Sequence, residues 1–393
     1  MRAGAYLYPW DVDGDPAAAD RVAGLGLAGV SLAAAYHAVR AVTPFHPGHR
    51  IVTRDAAVYY QPDPDRWSGG DLRPAVAEPA GSFERATGQL RAAGLGVTAW
   101  VVLLHNSRLA AVADGLFAVR NAFGDRYPWA LCAGSAAVRE YAARLAAEVA
   151  ALDGVDGIEL EACGWYGFEH GSAHDKTGSV MGRAGPAGAG DWLLSLCFCG
   201  GCRAGYRAAG TDPDKLAALV RTAADGGPAL PADVADLLDS TRAAAAGQLL
   251  HEVTAAVREA APGRTVLLHT DPDPRAAGSN PGYDLAAACG PEWVDGVLLA
   301  CADQDRAVSL VTTATAALPA GASVVAVLQA VAGLGGDPGT LPAQAAAVRA
   351  AGATELRFYH AGLAAASDLA AIRAALGDGS ADGRSRADRY PHG

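Results

Sequence analysis

The chain has 393 residues, of which 51% are hydrophobic and 19% charged, a composition that supports a large folded core. Its formal net charge of −11 argues against binding to nucleic acid or to anionic membrane surfaces. It has no apolar run long enough to span a bilayer and no signal-peptide pattern. Because its seven cysteines are odd in number and partly clustered, we expect a reduced, cytoplasmic protein with a possible metal site.

Short Val-, Leu- and Ile-rich segments alternate with Ala-rich helical segments along the chain. The predicted strands are Ala5–Pro9, Gly29–Ala35, Val97–Leu104, Gly157–Glu161, Thr265–Thr270, Gly296–Cys301, Ser323–Gln329 and Glu355–His360. The last four recur about every 30 residues, the length of one strand-helix unit. Eight units predict an α/β fold, a (β/α)8 TIM barrel. A doubly wound open sheet is the alternative, but no Gly-rich phosphate turn follows the first strand.

Two predicted connections are longer than the others, about 36–79 after the second strand and 162–262 after the fourth. Both leave the C-terminal ends of strands, where barrel enzymes place their chemistry. We expect a single barrel domain over 1–376 with these two insertions, and a disordered polar tail over 377–393.

One amphipathic helix is predicted in detail, between Ser135 and Leu152. Its apolar residues recur at steps of three and four. Ser135 is the predicted N-cap, and Gly154 is predicted to end the segment.

The fourth strand is the most informative segment. Since side chains alternate along a strand, Glu159 and Glu161 share one face and Ile158 and Leu160 the other. Charged side chains on a buried face are costly unless they are paired or catalytic. We predict that Glu161 is catalytic. Glu159 either contacts substrate or belongs to a buried ion pair, with Arg357 as a possible partner.

Hydrolysis of a glycosidic bond requires two carboxyl groups on either side of the scissile bond. Asp271, after the fifth strand, is the predicted partner of Glu161, and Asp303, after the sixth, is the second choice. The alternative is that Asp271 and Asp273 only form turns with their prolines or cap the next helix.

Polar and aromatic side chains gather around the predicted strand ends and in the loop after the fourth strand. Each alone is more often a core residue, but together they indicate a sugar-binding surface. Lys176 is notable because the chain has only two lysines. The candidate substrate-binding residues are Tyr8, Trp10, Tyr36, His37, His105, Glu159, Trp165, His170, His174, Lys176, His269, Asp303, Gln329 and His360.

Three cysteines form a Cys-x-Cys-x-x-Cys motif after the fourth strand, at Cys197, Cys199 and Cys202. They offer three thiolates to one zinc, with Cys132, Cys163 or a histidine as the fourth ligand. The alternative is three reduced cysteines beside a helix start. A closed thiolate shell would make the ion structural, and no organic cofactor is predicted.

Two segments resemble known proteins: Leu131–Tyr141, which contains Val-Arg-Glu-Tyr, and the Asp-Gly-Ile-Glu-Leu-Glu run that ends at Glu161. They are similar to bacterial glycoside-hydrolase-like (β/α)8 barrels related to the α-amylase superfamily. The closing unit Glu355–Leu363 looks like that of the same group. The cysteine motif is similar to clusters in glycosidase barrels, some of which bind zinc.

The resemblance implies that Glu161 occupies the fourth-strand carboxylate position, with Glu where the amylase-like pattern usually has Asp. A chitinase-type pattern fits poorly because its acid would fall on Cys163. A glutamate pair on strands four and seven also fits poorly, because the seventh strand ends in Gln329.

The predicted function is therefore a glycoside hydrolase-like enzyme that cleaves a small sugar or glycoside. One alternative is a zinc-dependent transferase or hydrolase on a barrel scaffold. The other is a non-catalytic carbohydrate-binding barrel.

Overall fold

The computed structural model describes residues 1–168, 189–290 and 292–377. Its barrel strands are β1 (Arg2–Leu7), β2 (Gly29–Tyr36), β3 (Gly96–Val102), β4 (Gly157–Glu161), β5 (Thr265–His269), β6 (Gly296–Ala300), β7 (Ser323–Gln329) and β8 (Glu355–Tyr359). Each pairs in parallel with the next, and β1 pairs with both β2 and β8, which closes the barrel. The predicted (β/α)8 fold is confirmed.

Helices follow or separate these strands. In the described ranges they are α1 (Ala18–Ala23), α2 (Ser82–Ala92), α3 (Ser107–Ala110), α4 (Ala136–Ala150), α5 (Ala189–Ser195), α6 (Gly200–Ala208), α7 (Pro213–Ala224), α8 (Ala232–Ala260), α9 (Leu285–Ala288), α10 (Gln304–Ala317), α11 (Leu341–Ala350) and α12 (Ala366–Leu376). Short 3-10 turns span Pro9–Asp11, Val112–Gly115 and Ala332–Leu334. None of the helices in these ranges has the length and apolar character needed to cross a bilayer.

Three connections carry extra structure at the C-terminal end of the barrel. After β2, an antiparallel hairpin joins Val39–Val42 to Ile51–Arg54. After β3, which was not predicted to precede a long connection, a second hairpin joins Ala118–Arg120 to Arg126–Leu131. Helices α5 to α8 come between β4 and β5.

Glycines at the starts of strands allow close approach at the opposite end of the barrel. A Cβ added to Gly157 would lie 2.8 Å from the carbonyl oxygen of Thr265 on β5. One added to Gly29 would lie 2.7 Å from the carbonyl oxygen of Gly96 on β3. Because both distances are shorter than normal contacts, a larger residue at either position would clash with the backbone of the neighbouring strand.

The barrel interior has an apolar part and a polar part. Leu267, Leu298 and Val325 form a small buried cluster contributed by β5, β6 and β7. On the other side, Glu159 and Arg357 meet in the interior between β4 and β8. The barrel is therefore filled by side chains below the mouth, as is usual for this fold.

The element boundaries differ from prediction by a few residues. β1 ends at Leu7 and β3 at Val102, so Tyr8 and His105 lie beyond the strand ends. Ser135 precedes α4 as predicted, but its side chain makes no capping hydrogen bond. The helix also ends at Ala150, before Gly154. Such shifts decide which side chains reach the mouth.

Candidate functional site

A cavity of about 360 Å³ opens at the C-terminal end of the barrel. Most of its walls come from residues at the ends of the barrel strands, so it lies where barrel enzymes carry their active sites. The described residues that line it are Tyr6, Tyr36, His37, Trp100, Glu161, His269, Ser279, Asn280, Ala300, Ala302, Val327, Gln329 and Tyr359.

Glu161 is the last residue of β4, and it faces this cavity while being only 7% exposed. Its Oε2 accepts a hydrogen bond from the indole N–H of Trp100 at 2.6 Å. A bond of this length is short for an N–H donor and is therefore directional. It orients the carboxylate at the mouth, where a ligand can reach it.

Aromatic rings form much of the wall beside Glu161. Trp100 packs edge-on against Tyr6 and Tyr36, with ring centroids 4.8 and 4.6 Å apart. The hydroxyls of Tyr36 and Tyr359 lie 3.4 Å apart. Burial raises the pKa of Tyr6, Tyr36 and Tyr359. These phenols stay protonated near neutral pH and can donate hydrogen bonds to a ligand.

Glu159, two residues earlier on β4, is completely buried below the cavity. Its Oε1 accepts hydrogen bonds from Ser31 Oγ at 2.7 Å and from Arg357 Nε at 3.2 Å. Burial acts to raise the pKa of Glu159. The His269 imidazole, 3.7 Å from Oε2, and the Arg357 guanidinium outweigh that effect and lower it. The ion pair with Arg357, one of the two roles considered for Glu159, is present.

Four of the predicted substrate-binding residues line the cavity: Tyr36, His37, His269 and Gln329. They lie at the ends of β2, β5 and β7, as their positions in the sequence indicated. His269 also lies within 3.4 Å of the Tyr6 hydroxyl, which connects the cavity wall to the polar interior.

Three predicted residues lie in the core instead. Tyr8 is stacked between Trp10 and His360, with ring centroids 4.4 and 4.3 Å away. All three are buried, and they are not among the described residues that line the cavity. Burial lowers the pKa of His360 to about 3, so its ring is neutral near pH 7. These three stacked side chains are therefore core residues and not part of the cavity lining.

Two other predicted residues also lie outside the cavity lining. His105 stacks on His37 at 4.0 Å and shares a 2.7 Å hydrogen bond with the Tyr166 hydroxyl, so it supports a lining residue. Trp165 donates its indole N–H to the carbonyl of Arg242 on α8, at 2.7 Å. It therefore packs away from the barrel mouth.

The two predicted partner carboxylates lie on the rim, and neither is among the described lining residues. Asp271 accepts the backbone N–H of Asp273 at 2.9 Å and lies 3.5 Å from Arg306. Asp303 is the N-cap of α10 and accepts two backbone N–H groups there. Asp271 therefore has the turn contact of the alternative interpretation, and Asp303 has a capping contact. A catalytic role for Asp271 stays a prediction. His170, His174 and Lys176 lie outside the described residues.

Sequence reasoning missed several lining residues: Tyr6, Trp100, Ser279, Asn280 and Tyr359. A signal for Tyr6 was available, since it alternates with Tyr8 on the same face of the first strand. Tyr359 immediately precedes His360, which was predicted to bind substrate, and Trp100 lies inside a predicted strand. Asn280 comes from the loop after β5, for which periodicity gives no orientation.

Four cysteines come together elsewhere in the fold: Cys132, Cys197, Cys199 and Cys202. Cys132 Sγ lies 3.5 Å from each of the other three sulfurs, and all four are buried. Zinc–sulfur bonds of 2.3 Å in a tetrahedron separate the sulfurs by about 3.8 Å, so the donor set fits zinc. Hydrogen bonding with Cys132 lowers the pKa of Cys199, which favours a thiolate. Of the fourth ligands considered, Cys132 is the one in place.

The fold is a closed (β/α)8 barrel with a cavity at the C-terminal ends of its strands. No protein-family profile matches the chain, and no curated protein sequence matches it. Among solved structures, the PgaB (BpsB) glycoside hydrolase domain from Bordetella bronchiseptica is similar, with a TM-score of 0.61 and 17% identity over 96% of this chain and 99% of that one.

Two further solved structures share the fold. The catalytic domain of β-amylase from Paenibacillus polymyxa has a TM-score of 0.55 and 11% identity, covering 95% of this chain and 97% of that one. α-L-Fucosidase isoenzyme 2 from Paenibacillus thiaminolyticus has a TM-score of 0.57 and 12% identity, covering 95% and 49%. At these identities the similarity establishes the fold, and membership of the α-amylase superfamily stays a prediction.

Proposed function

We propose that this protein is a glycoside hydrolase that cleaves the glycosidic bond of a small sugar or glycoside held in the barrel-mouth cavity. The observation that carries the proposal is the carboxylate of Glu161 in an aromatic-walled cavity at the C-terminal end of a barrel. Similarity to glycoside hydrolase barrels supports it at the level of the fold.

In this proposal Glu161 is the catalytic acid. The reaction requires one carboxyl group to protonate the leaving oxygen and a second to act as nucleophile or as base for water. The Trp100 indole donates to Oε2 and so fixes the orientation of the carboxylate at the cavity. Asp271, on the rim after β5, is the proposed second carboxyl group.

The cavity lining fits a neutral, hydroxyl-rich ligand. The rings of Tyr36, Trp100 and Tyr359 offer apolar faces, while Asn280 and Gln329 offer amide donors and acceptors. Among the described lining residues, no Lys or Arg is present to recognise a phosphate or sulfate. These groups match the alternating apolar and hydroxyl surfaces of a sugar ring.

A specific observation favours a second candidate, a carbohydrate-binding barrel without catalysis. Among the described lining residues Glu161 is the only carboxylate, and β7 ends in the amide Gln329. If Asp271 does not reach the substrate, the protein lacks the second carboxyl group that hydrolysis of a glycosidic bond requires.

A panel of 4-nitrophenyl glycosides, assayed with the intact chain, distinguishes these candidates. Hydrolysis that Glu161→Gln and Asp271→Asn both abolish supports the proposed pair. The exposed Glu259 on α8 provides a matched Glu259→Gln control, which should keep wild-type activity. Sugar binding by calorimetry without hydrolysis of any glycoside would instead favour the binding protein.

The four-cysteine cluster is proposed to hold one structural zinc ion. With four protein thiolates as ligands no coordination position stays open, so this arrangement favours a structural role over the zinc-dependent transferase or hydrolase alternative. The ion would connect Cys132, before α4, to the segment that leads into α6.

Elemental analysis tests this assignment. One zinc per chain is expected, and Cys199→Ser should lose it together with several degrees of melting temperature. Cys289→Ser, at a buried cysteine outside the cluster, is the matched control and should retain the metal. A wild-type protein without metal, purified under reducing conditions, would refute the site.

A further inference from the structure

A second cavity, of about 240 Å³, lies between α8 and the segment that follows β5. It shares none of its described lining residues with the barrel-mouth cavity. Most of its walls are apolar or aromatic. They include Trp165, Ala246, Leu250, Tyr283, Ala288 and Trp293.

Arg242, on α8, also lines this cavity and is only 3% exposed. Its Nη2 donates to the carbonyl oxygens of Arg275 and Ala276, at 3.1 and 3.0 Å. Its Nε and Nη1 have no hydrogen-bond partner among the residues that the structure describes. Burial lowers the pKa of Arg242 to about 10, so it remains a cation near neutral pH. Donors left unfilled on a buried cation are costly unless a ligand or water occupies them.

The carboxylates near Arg242 are engaged elsewhere. Asp239 accepts two hydrogen bonds from Arg275, at 2.9 and 2.7 Å, and one from the Trp192 indole. Asp284, which lines the cavity, is the N-cap of α9 and accepts backbone N–H groups there. Arg242 consequently forms no ion pair with any carboxylate in the described part of the chain.

The guanidinium is also held in a fixed orientation. Its central carbon lies 5.3 Å from the Trp165 ring centroid, and the Trp165 indole donates to the Arg242 carbonyl. A preoriented guanidinium loses little conformational freedom when it binds a planar carboxylate.

We propose that this cavity is a second binding site, for a small organic carboxylate with an apolar body about the size of one aromatic ring. The ligand's carboxylate accepts a hydrogen bond from one of the two unfilled donors of Arg242, Nε or Nη1, and its body packs between the indole rings of Trp165 and Trp293. The volume exceeds the roughly 150 Å³ of an apolar cavity that holds benzene. It is smaller than the roughly 300 Å³ at which drug-sized pockets begin.

Calorimetry with benzoate as the probe, on the full chain, tests the charge requirement. We expect a Kd of about 1 mM or below for benzoate, a ligand of few heavy atoms. Benzyl alcohol, which is similar in size but uncharged, should bind at least about tenfold more weakly because it cannot pair with the cation. Equal affinity for the two probes, or no benzoate binding at about 10 mM, would overturn the proposal.

Two variants test the location. Arg242→Met should weaken benzoate binding at least about tenfold, but it also removes the bonds to Arg275 and Ala276. Gly247→Leu places an apolar side chain at a cavity-lining position and keeps Arg242 itself, and a Cβ at Gly247 meets no atom within 4 Å. It should abolish binding while the protein stays folded.

Gly88→Leu is the matched control on α2, another helical glycine with open space at its Cβ. It should bind benzoate like the wild type, as should Glu161→Gln, since the two cavities are separate. Wild-type affinity in Gly247→Leu would show that benzoate binds elsewhere and would refute the site. Loss of binding in Glu161→Gln would refute it as well.

Discussion

Glu159 and Glu161 lie two residues apart on the same face of β4, yet their surroundings differ completely. Glu159 is enclosed by Ser31, His269 and Arg357, and Arg357 neutralises it within the barrel. Glu161 faces a cavity and accepts an indole N–H bond. The rise of two residues along a strand, about 7 Å, therefore separates an internal ion pair from a ligand-accessible acid. The depth of a glutamate in the barrel, more than its residue type, therefore distinguishes a structural ion pair from a carboxylate that faces the cavity.

The largest expected effect is a difference in protein stability between substitutions at Glu159 and at Glu161. Glu159→Ala leaves the buried Arg357 with Glu355 as its remaining carboxylate partner and its Nε without an acceptor carboxylate, so we expect the free energy of unfolding to fall by about 3 kcal/mol. Glu161→Gln should change it by less than about 1 kcal/mol, because the amide oxygen can still accept the Trp100 bond. Urea denaturation at neutral pH measures both. Similar losses at the two positions would contradict the division between interior and mouth.

A third buried carboxylate, Asp11, sharpens the comparison because it has no arginine partner at close range. Burial raises the pKa of Asp11 to about 7, despite a bond from the Tyr8 N–H. The folded state then holds this proton more tightly than the unfolded state does, so the stability from this group is present below about pH 4 and is lost as pH rises to about 7.

Asp11→Asn should therefore stabilise the protein at pH 8, by about 2 kcal/mol, and have little benefit at pH 4. Thermal or urea unfolding across this range measures the difference. Glu159 is expected to behave with the opposite sign, since its pKa is lowered. Its stabilising contribution is present above the unfolded pKa and is lost as pH falls through the lower folded value. A benefit from Asp11→Asn that does not depend on pH would rule out the buried charge as its cause.

The smallest expected effect concerns the orientation of Glu161. Trp100→Phe keeps an aromatic ring but removes the N–H donor to the carboxylate. If the proposed hydrolysis is observed, kcat/KM should fall about tenfold, the value of one hydrogen bond to a charged group. Tyr127→Phe, at an aromatic residue that does not line the cavity, is the control. Unchanged kcat/KM in Trp100→Phe would show that the bond does not position the acid.

Much of the fold was predictable because its signals are local. Each barrel strand is a short apolar run, and the spacing of the last four units matches a strand and a helix. The position of Glu161 at the end of β4 follows from alternation along one strand, and the cysteine motif is contiguous.

The error over Tyr8 and Tyr6 shows where such reasoning stops. The predicted first strand included both residues, but β1 ends at Leu7. Tyr6 therefore lies on the strand and lines the cavity, whereas Tyr8 lies beyond it and is enclosed by Trp10 and His360. A shift of the strand end by two residues changes a ligand contact into a core contact.

The sequence by itself determined the eight-strand pattern, the acidic end of the fourth strand and three thiols of the cluster. Each of these is a property of neighbouring residues. Tertiary structure alone decided that Arg357 neutralises Glu159 and that Cys132 joins the other cysteines. It also decided that Arg242 faces a cavity with donors unfilled. Such contacts join residues far apart in the chain, and they exist only after the barrel closes and excludes water.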